Sequence, residues 1–172
     1  MLQPAPLILQ HIRNYAKKTR KLLGVYDRLP CELFRINGGV NVILRDFETQ
    51  RSKGRSAFDV VLDSNGLVQP SAGNHFLGPN GMSLRPNGPF LQEIIRTFRN
   101  DNTVIYRLPK GLEVKSRQLK LLWEHTDHHS LQTTVPIELD ALNEKLTALC
   151  LEAAEKMTRE EFEKRYPFDD CI

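Results

Sequence analysis

Four Asn-Gly dipeptides, at 37–38, 65–66, 80–81 and 87–88, cut the first half of this chain into short pieces. Both residue types tolerate positive φ, so each pair reads as a tight turn. Between Pro70 and Pro89 the residues Gly, Pro and Asn come so densely that no long helix or strand fits there. A stretch of this kind inside a compact domain is a common site for ligand-binding loops.

The segments between the turns are short and apolar. Leu33-Phe34-Arg35-Ile36 and Phe58-Asp59-Val60-Val61-Leu62 read as strands, as do residues 103–108, 119–123 and 130–137. Pro89 starts an amphipathic helix marked by Phe90, Ile94, Ile95 and Phe98, which ends at Asn100. Leu139, Leu142, Leu146, Leu149, Ala153 and Met157 form the apolar stripe of a longer helix, predicted with Trp123 to lie in the core. Leu9, Ile12, Tyr15, Ala16, Thr19, Leu22 and Leu23 mark a further helix, ended by Gly24. Helices that bracket a set of short strands make the class α+β.

Charge and cysteine content exclude several functions. The 24 basic and 21 acidic residues give a net charge of +3, too even to imply nucleic-acid binding. The basic residues Arg13, Lys17, Lys18, Arg20, Lys21 and Arg28 gather near the start, and Glu160, Glu161, Glu163, Asp169 and Asp170 near the end. They read as solvated helix faces, or on the basic side as a surface for an anionic partner. Cys31, Cys150 and Cys171 form no Cys-x-x-Cys pair, so neither a disulfide framework nor a cysteine zinc site is expected. No apolar run reaches bilayer length, and the first six residues lack a charged n-region. The expectation is a cytoplasmic chain with no membrane partner.

The chemistry-bearing residues are few. Glu124-His125-Thr126-Asp127-His128-His129 puts three histidines and two carboxylates together, which raises a metal-dependent hydrolase as a minor alternative. A strand-like string points its side chains to alternate faces, however, and no His-Glu-x-x-His helix is present, so no metal is expected. Arg35 lies in an apolar strand, where a guanidinium needs an anion. It reads either as half of a buried ion pair, with a carboxylate such as Asp59, or as a phosphate clamp. No phosphate loop, dinucleotide-binding glycine motif or Gly-x-Ser-x-Gly elbow occurs, and spacing outlines no serine or cysteine triad.

Several segments in order resemble one family. They are Glu32-Leu33-Phe34-Arg35-Ile36, Arg55-Ser56-Ala57-Phe58-Asp59-Val60-Val61 and Asn65-Gly66-Leu67-Val68-Gln69-Pro70. Asn80-Gly81-Met82-Ser83-Leu84-Arg85-Pro86, Leu108-Pro109-Lys110-Gly111-Leu112-Glu113-Val114 and Asp127-His128-His129-Ser130-Leu131-Gln132-Thr133-Thr134-Val135-Pro136-Ile137 complete the set. Together they resemble the Tse-two ADP-ribosyltransferase-like toxins, named for an effector exported by bacterial type VI secretion and with relatives encoded by fungi. Asn-Gly-Met-Ser-Leu-Arg-Pro and His-Ser-Leu-Gln look closest to the fungal branch.

The resemblance implies an ADP-ribosyltransferase-like fold, in which two small antiparallel sheets form a cleft for NAD, with helices flanking at both ends. It implies a single domain over residues 1–172: a helical extension at 1–28, the core at 29–157 and an acidic tail at 158–172. NAD is then the substrate, held by Arg35, Arg55 and Asn37, with Ser83, His128 and Gln132 at the reacting end. The usual Glu-x-Glu or Gln-x-Glu pattern is missing, and Glu124 is a possible substitute. Two functions follow. One is an NAD-using toxin, an ADP-ribosyltransferase or NAD glycohydrolase with a macromolecular target and an immunity or regulatory partner. The other is a non-catalytic module of the same fold that acts by binding a nucleotide or a protein.

Overall fold

The computed structural model describes residues 21–71, 76 and 78–167. The helix expected before Gly24 lies almost wholly outside them. Within them the chain is α+β, with three antiparallel sheets and four α-helices.

The larger sheet has the order β1-β6-β7-β4, built from Gly24–Tyr26, Leu119–His125, His128–Thr133 and Met82–Leu84. The second sheet has the order β2-β5-β9, from Leu33–Asn37, Val104–Leu108 and Glu155–Met157. Leu67–Val68 (β3) and Ile137–Glu138 (β8) make a third, two-stranded pair. The two main sheets meet where β2 runs beside the end of β4. There Phe34 and Arg85 exchange backbone hydrogen bonds of 2.7 and 3.1 Å.

Alternation along the strands sorts the side chains. Met82, Leu84, Leu119, Leu121 and Leu131 enter the core with Leu142, Leu146 and Leu149 from helix α3, Leu139–Ala153. The opposite face of β4 and β7 carries Ser83, His128, Ser130 and Gln132. A smaller core joins Phe34 and Ile105 of the second sheet to Leu91 and Ile95 of α2, Pro89–Thr97, and to Phe162 of α4, Arg159–Arg165.

Several local expectations change. Residues 58–62 form no strand. Val60 and Leu62 make single bridges to Asp46 and Val68, because Asp59 turns its carboxylate onto Arg45 instead of continuing a ladder. Gly24 opens β1 rather than closing a helix, so the sheet begins inside the segment assigned to the N-terminal extension. The stripe of α3 stops at Ala153, and Met157 belongs to β9. Residues 158–165 are ordered helix with Phe162 fully buried, so the core continues into the segment assigned to the acidic tail. Thr158 starts α4 with a reciprocal capping box to Glu161. Trp123 is half-buried, donating its indole N–H to the Thr126 carbonyl and stacking on His129.

Candidate functional site

A cleft of about 690 Å³ opens along the seam between the two main sheets. Its walls are β2 and the Gly38–Asn41 turn, Ile43 and Arg45, the middle of β4, α2 and the start of β7. The turn is held from two sides. The Tyr106 hydroxyl donates to the Val40 carbonyl at 2.6 Å, and α3 receives the next residues. The Val42 N–H donates to Thr147 Oγ1 and the Leu44 N–H to Asn143 Oδ1, both at 2.9 Å. Ile43 is left outward at 71% exposure, on the rim with Val40 and Ile94.

Arg35 enters the cleft from the middle of β2. Its Nε donates to Asn37 Oδ1 at 3.0 Å, and its Nη1 lies 3.4 Å from the Ser83 carbonyl oxygen. Asn37 is itself buried and fixed, donating from Nδ2 to the Asn41 carbonyl at 3.0 Å. Among the described residues no carboxylate lies within ion-pair distance of Arg35. Burial draws its pKa below the ordinary arginine value, and the charge of Asp59 offsets part of that. Of the two alternatives for Arg35, the ion pair with Asp59 does not form, because Arg45 occupies Asp59. Arg45 Nε donates to Asp59 Oδ2 at 2.7 Å, Arg45 Nη2 to Oδ1 at 2.9 Å, and the Arg45 backbone N–H to Oδ2 at 2.9 Å.

Ser83 lies in the centre of β4, opposite Ser130, although its sequence context reads as a loop. Gly81 lets β4 start there. A Cβ on it would meet the Leu131 carbonyl oxygen at 2.4 Å, so only glycine brings the chain this close to β7. Ser83 Oγ lies 3.1 Å from His128 Nε2, and His128 Nδ1 lies 3.0 Å from Glu124 Oε2. A serine, a histidine and a glutamate thus stand in one hydrogen-bonded row. Spacing along the chain gave no sign of it. The tight β6–β7 turn, with Thr126 at φ 45° and Asp127 paired to Arg85, folds position 128 back over position 124.

The other candidates go elsewhere. Arg55 is exposed beyond α1, Phe47–Ser52, and does not line the cleft. Gln132 is buried away from it. Its Oε1 accepts from the Ser71 N–H and from Asn80 Nδ2, and its Nε2 donates to the Ser71 carbonyl, so it clamps the incoming chain to β7. Both lone pairs of Oε1 and one N–H of Nε2 serve that clamp, and the side chain does not line the cleft.

The histidine cluster also divides. Asp127 is engaged by Arg85, and His129 stacks on Trp123 with centroids 5.8 Å apart. Ligand atoms of Glu124, His125 and His128 do lie within 4.8 Å of one another. However, the two imidazoles stack at 5.0 Å with planes 20° apart. In this arrangement both ring nitrogens of His128 are engaged, with Glu124 and Ser83.

The model of one family, the Tse2 ADP-ribosyltransferase toxin, matches residues 31–162. No curated protein matches the chain. The matched segment runs from the start of β2 into α4 and includes Arg35, Ser83, Glu124 and His128. Because the match covers most of the chain and the whole of the cleft, this protein belongs to the Tse2 ADP-ribosyltransferase toxin family.

Proposed function

We propose that the chain cleaves the nicotinamide–ribose bond of NAD in the cleft between the sheets and passes ADP-ribose to an acceptor. The single observation that carries this reading is Arg35. It is a half-buried guanidinium, with no described carboxylate partner, facing a cavity beside a Ser–His pair. A cation placed in this way is suited to a ligand anion, and its planar fork matches a pyrophosphate. Asn37 holds it in place. Arg45 and Arg85 are already neutralised by Asp59 and Asp127, so Arg35 supplies the positive charge.

At the reacting end, the bond from C1′ to the nicotinamide nitrogen breaks and its electron pair leaves with nicotinamide. The acceptor oxygen bonds to C1′, and its proton passes to the Ser83–His128 pair, as in general base catalysis. With a macromolecule as acceptor the reaction is ADP-ribosylation. With water it is NAD glycohydrolysis. NAD is plentiful in the cytoplasm, which is where we place the action of the toxin. A producing cell then needs an immunity or regulatory protein that shields the cleft. The fungal branch is the part of the family to which we assign the chain, on Asn80–Pro86 and His129–Gln132.

A second reading, a module that binds a dinucleotide without cleaving it, is favoured by one observation. Asp59, a carboxylate lining the cleft, is tied to Arg45 and is not free to face a ribosyl cation. Expression toxicity, measured with melting temperature, separates the readings. Arg35→Ala, Ser83→Ala and His128→Ala abolish toxicity at little cost in melting temperature if the cleft is catalytic. Ser83→Ala and His128→Ala remain toxic if it only binds.

A further inference from the structure

Among the described residues the cleft offers no free carboxylate where a cationic ribosyl carbon would form, yet a glutamate stands one residue behind it. Glu124 does not line the cleft and is 7% exposed, so it is out of reach of a ligand there. Its Oε2 meets His128 Nδ1, while its Oε1 has no hydrogen-bond partner among the described residues. A buried carboxylate with one oxygen unsatisfied is costly to fold around. It is not part of a wider structural ion-pair network of the kind that joins Arg107, Glu32 and Glu155 on the far side of β5.

We infer that Glu124 is the positioning residue of this site, acting through His128 to make Ser83 Oγ the electron-rich oxygen that faces the reacting carbon. The inference rests on the NAD reading above and deepens it.

An ionised carboxylate only accepts, so the hydrogen between Glu124 and His128 sits on Nδ1. His128 Nε2 is then a lone pair, and the Ser83 hydroxyl donates to it. With its hydrogen turned towards His128, Ser83 Oγ presents its own lone pairs to the cleft. His125, stacked on the His128 ring, keeps the imidazole plane in line with both partners. When an acceptor attacks, its proton goes to Ser83 Oγ and the Ser83 proton goes to His128 Nε2. The imidazolium so formed is balanced by Glu124. Once nicotinamide has left, the imidazolium gives the acceptor's proton to solvent, which restores the starting pair, and the negative charge missing from the cleft is supplied from behind it. The relation of carboxylate, imidazole and hydroxyl is that of serine hydrolases, where the acid also orients the ring without touching substrate.

The test combines nitrogen NMR of His128 with NAD turnover in the full chain and in Glu124→Gln and Glu124→Asp. The wild-type ring is expected with its proton on Nδ1. Glutamine has an N–H to donate, so Glu124→Gln is expected to move the ring proton to Nε2. With that exchange, kcat for nicotinamide release falls about 10²-fold or more while KM changes less than about threefold. Glu124→Asp restores part of kcat. A wild-type ring protonated on Nε2 overturns the proposal, and so does wild-type kcat in a folded Glu124→Gln. If the wild type releases no nicotinamide, the NAD reading fails and Ser83 has no reacting carbon to face. The NMR arm then reports only whether Glu124 sets the tautomer.

Discussion

Arg45 grips Asp59 with two guanidinium N–H groups, at 2.7 and 2.9 Å, and so engages the cleft carboxylate that Arg35 would otherwise meet. Asp59 has a side chain only 3% exposed, and it also accepts the Arg45 backbone N–H. The pair therefore does two things. It pins the Ile43–Asp46 segment to the strand-like residues before Asn80, and it leaves Arg35 free for a ligand.

Asp59→Asn tests the first role. The amide keeps the shape but loses the charge-assisted bonds, so stability should drop by about 1–3 kcal/mol. The shift in urea midpoint at unchanged slope checks it. Affinity for an anionic dinucleotide should hold or rise, because a negative charge near Arg35 is gone.

Arg35→Met tests the second. The methionine keeps the apolar stem and removes the fork. Binding of NAD, followed by calorimetry, should weaken about 10- to 100-fold, the worth of one or two charge-assisted hydrogen bonds. The melting temperature should change little, since Arg35 has no charged partner to orphan among the described residues.

Leu146→Ala tests the core. Leu146 is fully buried on the inner face of α3, within the larger core. The expected loss is about 2–5 kcal/mol in denaturant unfolding. An unchanged midpoint would remove Leu146 from the core.

His129 gives the chain a pH signature. Burial against Trp123 pulls its pKa below the ordinary histidine value of 6.5, with the Asp127 carbonyl contact opposing. The folded state therefore binds this proton less readily than the unfolded state. Its contribution is full above the unfolded pKa, starts to fall as pH drops below about 6.5, and is lost once the folded ring protonates. Glu155, held low by Arg107 and Arg165, and Glu161, held low by the Thr158 cap, add a second decline that starts near their ordinary value of 4.5. Urea midpoints from pH 8 to pH 3 should show both steps, and His129→Gln should remove the upper one only.

The parts of this fold that could be read from sequence are those with local causes. β-branched residues mark β5, an apolar stripe with leucine spacing marks most of α3, and Pro89 starts α2 at its first helical position. The parts that could not be read are held by distant partners. β1 is three residues long and exists because β6 lies beside it, and β9 exists because β5 does. The α2 stripe is only partly as its spacing predicts, with Ile95 buried and Phe98 half-buried. Phe90 and Ile94 face outward and Leu91 and Ile95 inward, because the helix packs on Phe34 and not on the larger core. The site divides in the same way. Arg35 stood out because a charge in an apolar strand needs a reason. The partnership of Glu124 with His128 depends on a turn at positive φ in Thr126, a residue that carries no turn signal of the Asn-Gly kind.

Incubation of the purified full chain with NAD labelled in both halves tests the central claim most directly, reading nicotinamide release and label transfer together. The account predicts release by the wild type, with transfer to protein or nucleic acid when target-cell extract is added, and loss of release in Arg35→Met and Ser83→Ala. A folded wild-type chain that leaves NAD intact, or variants that cleave it as fast as the wild type, would contradict it.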